Sequence, residues 1–121
     1  MNILIGQETG KGNASITVIQ VSGNLDASTH KELQDKALEL IDGGAKNILL
    51  DLSGVSFLGS AGLRVIHALT NKLHNEQDGS GKSKHVKLLN PSEDVSKVIK
   101  TLGFDDYLEI YTDKDDAIAS F

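Results

Sequence analysis

A chain of 121 residues suffices for one domain with one core, of radius of gyration roughly 14 Å, burying about two-thirds of its unfolded surface without needing a disulfide or metal. Its 12 Lys and Arg against 17 Asp and Glu give a net charge of −5, which argues against DNA, RNA or an anionic membrane as main partner, since phosphate backbones are bound through Lys and Arg. The absence of Cys excludes a thiol nucleophile and Cys-ligated zinc, and 4% aromatic residues are too few for base stacking.

Ile3-Leu4-Ile5 and Ile16 to Val21 read as two strands joined by a turn containing Gly10, Gly12 and Asn13. Gly23-Asn24 ends the second. Thr29 with Glu32 three residues on matches a capping box, and Leu33, Ala37, Leu40 and Ile41 recur at helical spacing until Gly43-Gly44. Asn47 to Leu50 is an apolar run suited to a central strand covered on both faces. A loop is expected over Asp51 to Gly59, then a helix with Leu63, Ile66, Leu69 and Leu73 on one side. Asn75 to Lys84 is polar and Gly/Ser-rich, as in a surface loop. His85 to Leu89 is a further strand. Asn90-Pro91 offers a helix start, Val95, Val98, Ile99 and Leu102 continue it, and Gly103 stops it. Leu108 to Tyr111 is a last strand, and Thr112 is the expected cap of a short acidic helix. Strand and helix alternate from the second strand onward, which predicts an α/β fold with a mostly parallel sheet. No apolar stretch approaches the ~18 residues of a membrane span. Met1 is not followed by a basic-then-apolar leader. The chain is therefore expected to be cytoplasmic, without membrane insertion.

The run Leu49 to Ile66 leaves a buried strand, crosses small residues and enters a helix near Ser60. Ligands and partners meet α/β sheets at the carboxyl ends of strands. Ser60 is expected at or beside the helix N-cap, where free N–H groups and the helix dipole accommodate an added phosphate. Gly59, Ala61 and Gly62 carry little or no side chain, so a partner backbone can approach closely. The same residues also fit a plain capping serine. Asp26 fits a turn aspartate at a helix start.

Asp51-Leu52-Ser53-Gly54-Val55-Ser56-Phe57-Leu58 followed by Gly59-Ser60-Ala61-Gly62-Leu63 resembles the signature of the STAS domain family. That family is named for sulfate transporters and anti-sigma-factor antagonists. Upstream, Val21-Ser22-Gly23-Asn24-Leu25-Asp26 is similar to its strand-end pattern of hydrophobic-x-Gly-x-Leu-Asp. The order of strands and helices matches along nearly all of the chain. The resemblance implies a single STAS domain over residues 1–121, an α/β fold whose mixed, mostly parallel sheet is packed with α-helices. It implies a non-catalytic switch of the bacterial anti-sigma-factor antagonist branch. Such a protein sequesters an anti-sigma factor that is a serine kinase of the histidine-kinase-like ATPase fold. The kinase phosphorylates the first serine of an Asp-Ser-Ser-Gly motif, which aligns with Ser60, and the complex dissociates. A metal-dependent serine phosphatase restores it. Gly59 stands here for the motif's Asp, and Ala61 for its second Ser. The implied partner surface comprises Asp26, the stretch Ser56 to Gly59 with Ser56, Leu58 and Gly59, and the first helical turn with Ser60, Ala61, Gly62 and Leu63; Leu58 is its apolar anchor or, alternatively, a core residue. No catalytic residue, cofactor or metal is implied. A STAS scaffold or lipid-transport accessory subunit, binding partners without phosphorylation, is the alternative within the family.

Other readings fit less well. Asp51 at a strand end suggests the phospho-acceptor of a response-regulator receiver, but Gly6-Gln7-Glu8 supplies no acidic pair for Mg²⁺ after the first strand and Lys114 is off the expected lysine position. Gly79-Ser80-Gly81-Lys82-Ser83 is similar to the tail of a phosphate-binding loop, yet Glu76 occupies the position of its first glycine. His30, His67, His74 and His85 are scattered without nearby paired carboxylates. Asp105-Asp106 and Asp113, Asp115 and Asp116 read as solvated charge.

Overall fold

In the computed structural model, which describes residues 2–73, 85–106 and 108–121, five strands hydrogen-bond in the order of the chain. They are β1 (Asn2–Thr9), β2 (Ser15–Leu25), β3 (Ile48–Leu58), β4 (Val86–Leu89) and β5 (Glu109–Tyr111). Helices α1 (His30–Asp42), α2 (Ser60–Lys72) and α3 (Glu93–Thr101) alternate with β2 to β5, and α4 (Lys114–Ala119) follows. β1 pairs antiparallel with β2, and β2 to β5 run parallel, as the strand–helix alternation predicts.

The side-chain alternation of the strands sorts residues to two faces. Ile19 and Val21, Ile48, Leu50 and Leu52, and Val86 and Leu88 point to one face and pack with Leu33, Ala37, Ile66, Leu69, Val95 and Ile99 of the three long helices. Each fully buried Leu or Ile there contributes roughly 1.5–3 kcal/mol. Ile16, Val18, Leu49 and Leu89 point to the other face, where Ala117 and Ile118 of α4 cover them together with Tyr111 and Phe121. Both faces of β3 are covered, which accounts for its unbroken apolar start.

Several boundaries differ from the sequence expectation. Asp51 to Leu58 is not a loop: β3 continues to Leu58 and pairs with β2 as far as Leu25, through two register shifts. Gly54 permits this, since a Cβ there would lie 2.7 Å from Ser22 Cβ, and Gly23 takes up φ +97°. β4 pairs with β3 only from Ile48 to Asp51, so the ends of β2 and β3 form a two-stranded ribbon beyond the rest of the sheet. Thr29 precedes α1 but does not cap it. Its hydroxyl instead accepts from the Asp26 N–H at 3.0 Å and donates to Asn24 O at 2.7 Å. α3 is capped by Ser92 rather than Asn90, and α4 by Asp113 rather than Thr112. The expected loop Asn75 to Lys84, with Gly79 to Ser83, and His74 lie outside the described residues. Among the described residues, no helix is long and apolar enough to cross a membrane.

Candidate functional site

The ribbon formed by the ends of β2 and β3 carries two chain reversals side by side. On one, Leu25 leads into the turn Asp26 to Thr29; on the other, Leu58 leads through Gly59 into α2. They are joined by backbone: Leu25 is the register partner of Leu58, and the Gly59 N–H donates to Leu25 O at 2.9 Å. Asp26 Cα would stand 3.7 Å from a Cβ on Gly59. The two segments singled out from sequence therefore meet at the carboxyl end of the sheet.

Gly59 is the N-cap of α2, with extended φ and ψ of −91° and 176°, and Ser60 is the first helical residue. Sequence spacing placed Ser60 at or beside that cap. Without a side chain at Gly59, no side-chain cap satisfies the first N–H groups of α2. Ser56 and Ser60 are exposed, while Gly59, Ala61 and Asp26 are half-buried. Leu58 and Leu63 are each 3% exposed and belong to the main core, and Gly62 is buried against Leu25 and Leu58. These three set the position of the exposed residues from beneath.

The Asp26 carboxylate is organised by its own turn. Its Oδ1 accepts from the Ser28 hydroxyl at 2.7 Å, the Ser28 N–H at 2.9 Å and the Thr29 hydroxyl at 3.3 Å. The Ser28 hydroxyl, then its N–H, hold the Asp26 carboxyl below its ordinary pKa, with partial desolvation opposing and Thr29 adding to the effect. Asp26 thus presents a fixed negative charge beside Gly59. Asp51 is likewise local: its Oδ1 accepts from the Ser53 N–H at 3.0 Å. Among the described residues, no group of three or more His, Cys, Asp or Glu is placed to hold a metal ion.

Of two further residues of this surface, Phe57 falls within the expected stretch Ser56 to Gly59, and Arg64 escaped the sequence reading. Phe57 is 53% exposed, and its ring lies 3.2 Å from where a Gly59 Cβ would stand. It is the exposed apolar side chain of the ribbon end, where Leu58 was expected. Arg64 is exposed one turn along α2 and lines, with Ser60, an open groove of about 460 Å³ floored by Leu63 and bounded by Leu102 and Phe104.

The model of the STAS domain family matches residues 10–117. Over 58 residues the chain is 31% identical to the anti-sigma-F factor antagonist RsfB of Mycobacterium tuberculosis, a match covering 48% of each chain. The matched stretch thus spans about half the length of that curated relative. An anti-sigma factor antagonist from Mycobacterium paratuberculosis has a similar structure, with TM-score 0.74 and 28% identity over 96% of this chain and 91% of that one. The Bacillus cell fate determinant SpoIIAA in the phosphorylated form is similar in fold, with TM-score 0.63 and 22% identity over 95% of this chain and 96% of that one.

Proposed function

The chain belongs to the STAS domain family, and from that membership we propose that it is a cytoplasmic, non-catalytic anti-sigma-factor antagonist switched by phosphorylation of Ser60. Relatives that bear the name of antagonist support the class of function. The observation that carries the switch is the placement of Ser60. It is an exposed hydroxyl at the first position of α2, flanked by Gly59 and Ala61 and adjoining the Asp26 turn.

The partner is an anti-sigma factor that is also a serine kinase of the histidine-kinase-like ATPase fold. Its backbone approaches over Gly59 and Ala61, with Phe57 as the apolar contact. In the transfer step, Ser60 Oγ bonds to the γ-phosphorus of ATP as the bond to ADP breaks, and the serine proton passes to a base on the kinase. The new phosphate carries a charge of about −1.5 to −2. The start of α2 tolerates it, because the unsatisfied N–H groups and helix dipole favour an anion there. The complex does not tolerate it. A dianion fills a surface kept shallow by small residues and faces Asp26 in a partly desolvated interface. A loss of ~3 kcal/mol weakens binding roughly a hundredfold. A metal-dependent serine phosphatase then regenerates the binding form.

The test is titration of the cognate kinase with wild type, Ser60→Ala, Ser60→Asp and Phe57→Asp. Ser60→Ala is expected to bind like wild type and to remain unmodified in Mg-ATP, while Ser60→Asp and Phe57→Asp bind poorly. Lys97→Glu, at an exposed position of α3, is the control and should bind normally. Equal losses for Phe57→Asp and Lys97→Glu would contradict this surface.

A further inference from the structure

Among the described helices, α2 stands out by charge. It carries Arg64, His67 and Lys72 with no Asp or Glu, whereas α1, α3 and α4 each carry at least two carboxylates in a chain of net charge −5. Arg64 follows Ser60 by four residues. Side chains so spaced are neighbours on the helix surface, with Cβ atoms about 5–6 Å apart. The later one leans back toward the helix start. Ser60 and Arg64 line the same groove. Arg64 makes no hydrogen bond or ion pair with any described residue. Its guanidinium is therefore uncommitted, one turn from the hydroxyl that receives the phosphate.

We propose that Arg64 clamps the phosphate of phosphorylated Ser60 within the chain. The inference rests on the reading of Ser60 above and adds how the modified state is held. A guanidinium presents a planar fork of donors that matches two phosphate oxygens, so the pair is directional as well as charged. The clamp lays the dianion along α2, over the mouth of the groove, and neutralises part of its charge. The same contact removes Arg64 from the surface open to a partner. Asp26, across the adjoining turn, opposes the phosphate. His67 stands one turn beyond Arg64 in the same groove, edge-on to Phe104 at 6.1 Å, and His30 is engaged with Ala27 O at 3.1 Å.

Genetically encoded phosphoserine at position 60 tests the clamp without any kinase, so absence of natural phosphorylation and absence of the clamp read out separately. Phosphorus NMR titration gives the second pKa of the phosphate, about 6 in a free side chain. It is expected to lie about 0.5 lower with Arg64 than in Arg64→Gln, with Arg64→Lys in between. Lys72→Gln, three turns away, should match the parent. His67→Gln, titrated in parallel, separates the imidazole's own ionisation and should keep the Arg64-dependent difference. A phosphate pKa unchanged in Arg64→Gln, or lowered equally by Arg64 and Lys72, overturns the clamp.

Discussion

Gly62 packs directly on Leu25: a Cβ at position 62 would stand 2.7 Å from Leu25 Cγ, 2.9 Å from its carbonyl oxygen and 2.8 Å from Leu58 Cδ1. The first turn of α2 is thereby seated on the ends of β2 and β3, and the height of Ser60 above the ribbon follows from that seat. Gly62→Ala gains roughly 1 kcal/mol of helix propensity but must displace backbone as well as side chains. A net loss of about 1–2 kcal/mol is expected in denaturant unfolding. Ala61→Gly, at a half-buried position beside it, should cost only about the propensity, near 1 kcal/mol. Equal stability of Gly62→Ala and wild type would contradict the close seat.

Lys87 and Glu109 are cross-strand partners on β4 and β5, with Nζ and Oε2 2.7 Å apart. The ammonium also donates to Ser120 O at 2.9 Å and Oγ at 3.0 Å, and lies 4.9 Å from the Phe121 ring centroid. The two side chains are unequally buried, 5% exposed for Lys87 and 27% for Glu109. Removing the carboxylate leaves a buried charge, whereas removing the lysine leaves a carboxylate that reaches water. Glu109→Gln should therefore cost about 2 kcal/mol and Lys87→Met about 1 kcal/mol or less. The reverse order in urea melts would contradict the pairing.

Asp26 gives the turn a pH dependence of known sign. Its carboxyl is held below the ordinary value of 3.8 by hydrogen bonds from Ser28 and Thr29. The folded state therefore binds that proton less readily than the unfolded state. The stabilisation is fully present above the unfolded value and fades as pH falls through the folded one. The melting-temperature gap between wild type and Asp26→Asn should be constant near neutrality and close in acid below the ordinary carboxylate value. A gap that widens in acid would contradict the assignment.

The helices were legible because i, i+3, i+4 periodicity survives wherever one face packs on a sheet, as at Leu33 and Ala37 or Val95 and Ile99. The end of β3 was not. Its register shifts against β2 put the buried residues Val55 and Leu58 three apart, which breaks the two-residue alternation of a strand. That break also hid which of Phe57 and Leu58 faces outward. The capping box at Thr29 was misleading because nearer partners, the Asp26 N–H and Asn24 O, occupy its hydroxyl. The proximity of Asp26 to Gly59 was legible only through the family pattern, since it depends on a 33-residue separation closed by pairing of β2 with β3. Arg64 could have been found from its spacing to Ser60 alone.

If Ser60 phosphorylation separates this chain from its partner, the intact mass of the protein differs between its free and partner-bound states. The tagged chain is purified from its own host and divided by size into free and partner-bound fractions. A species heavier by ~80 Da, one phosphate, is expected in the free fraction alone, mapped to Ser60 and missing from Ser60→Ala. Phosphate at Ser60 in the bound fraction, or no phosphate in either, would contradict it.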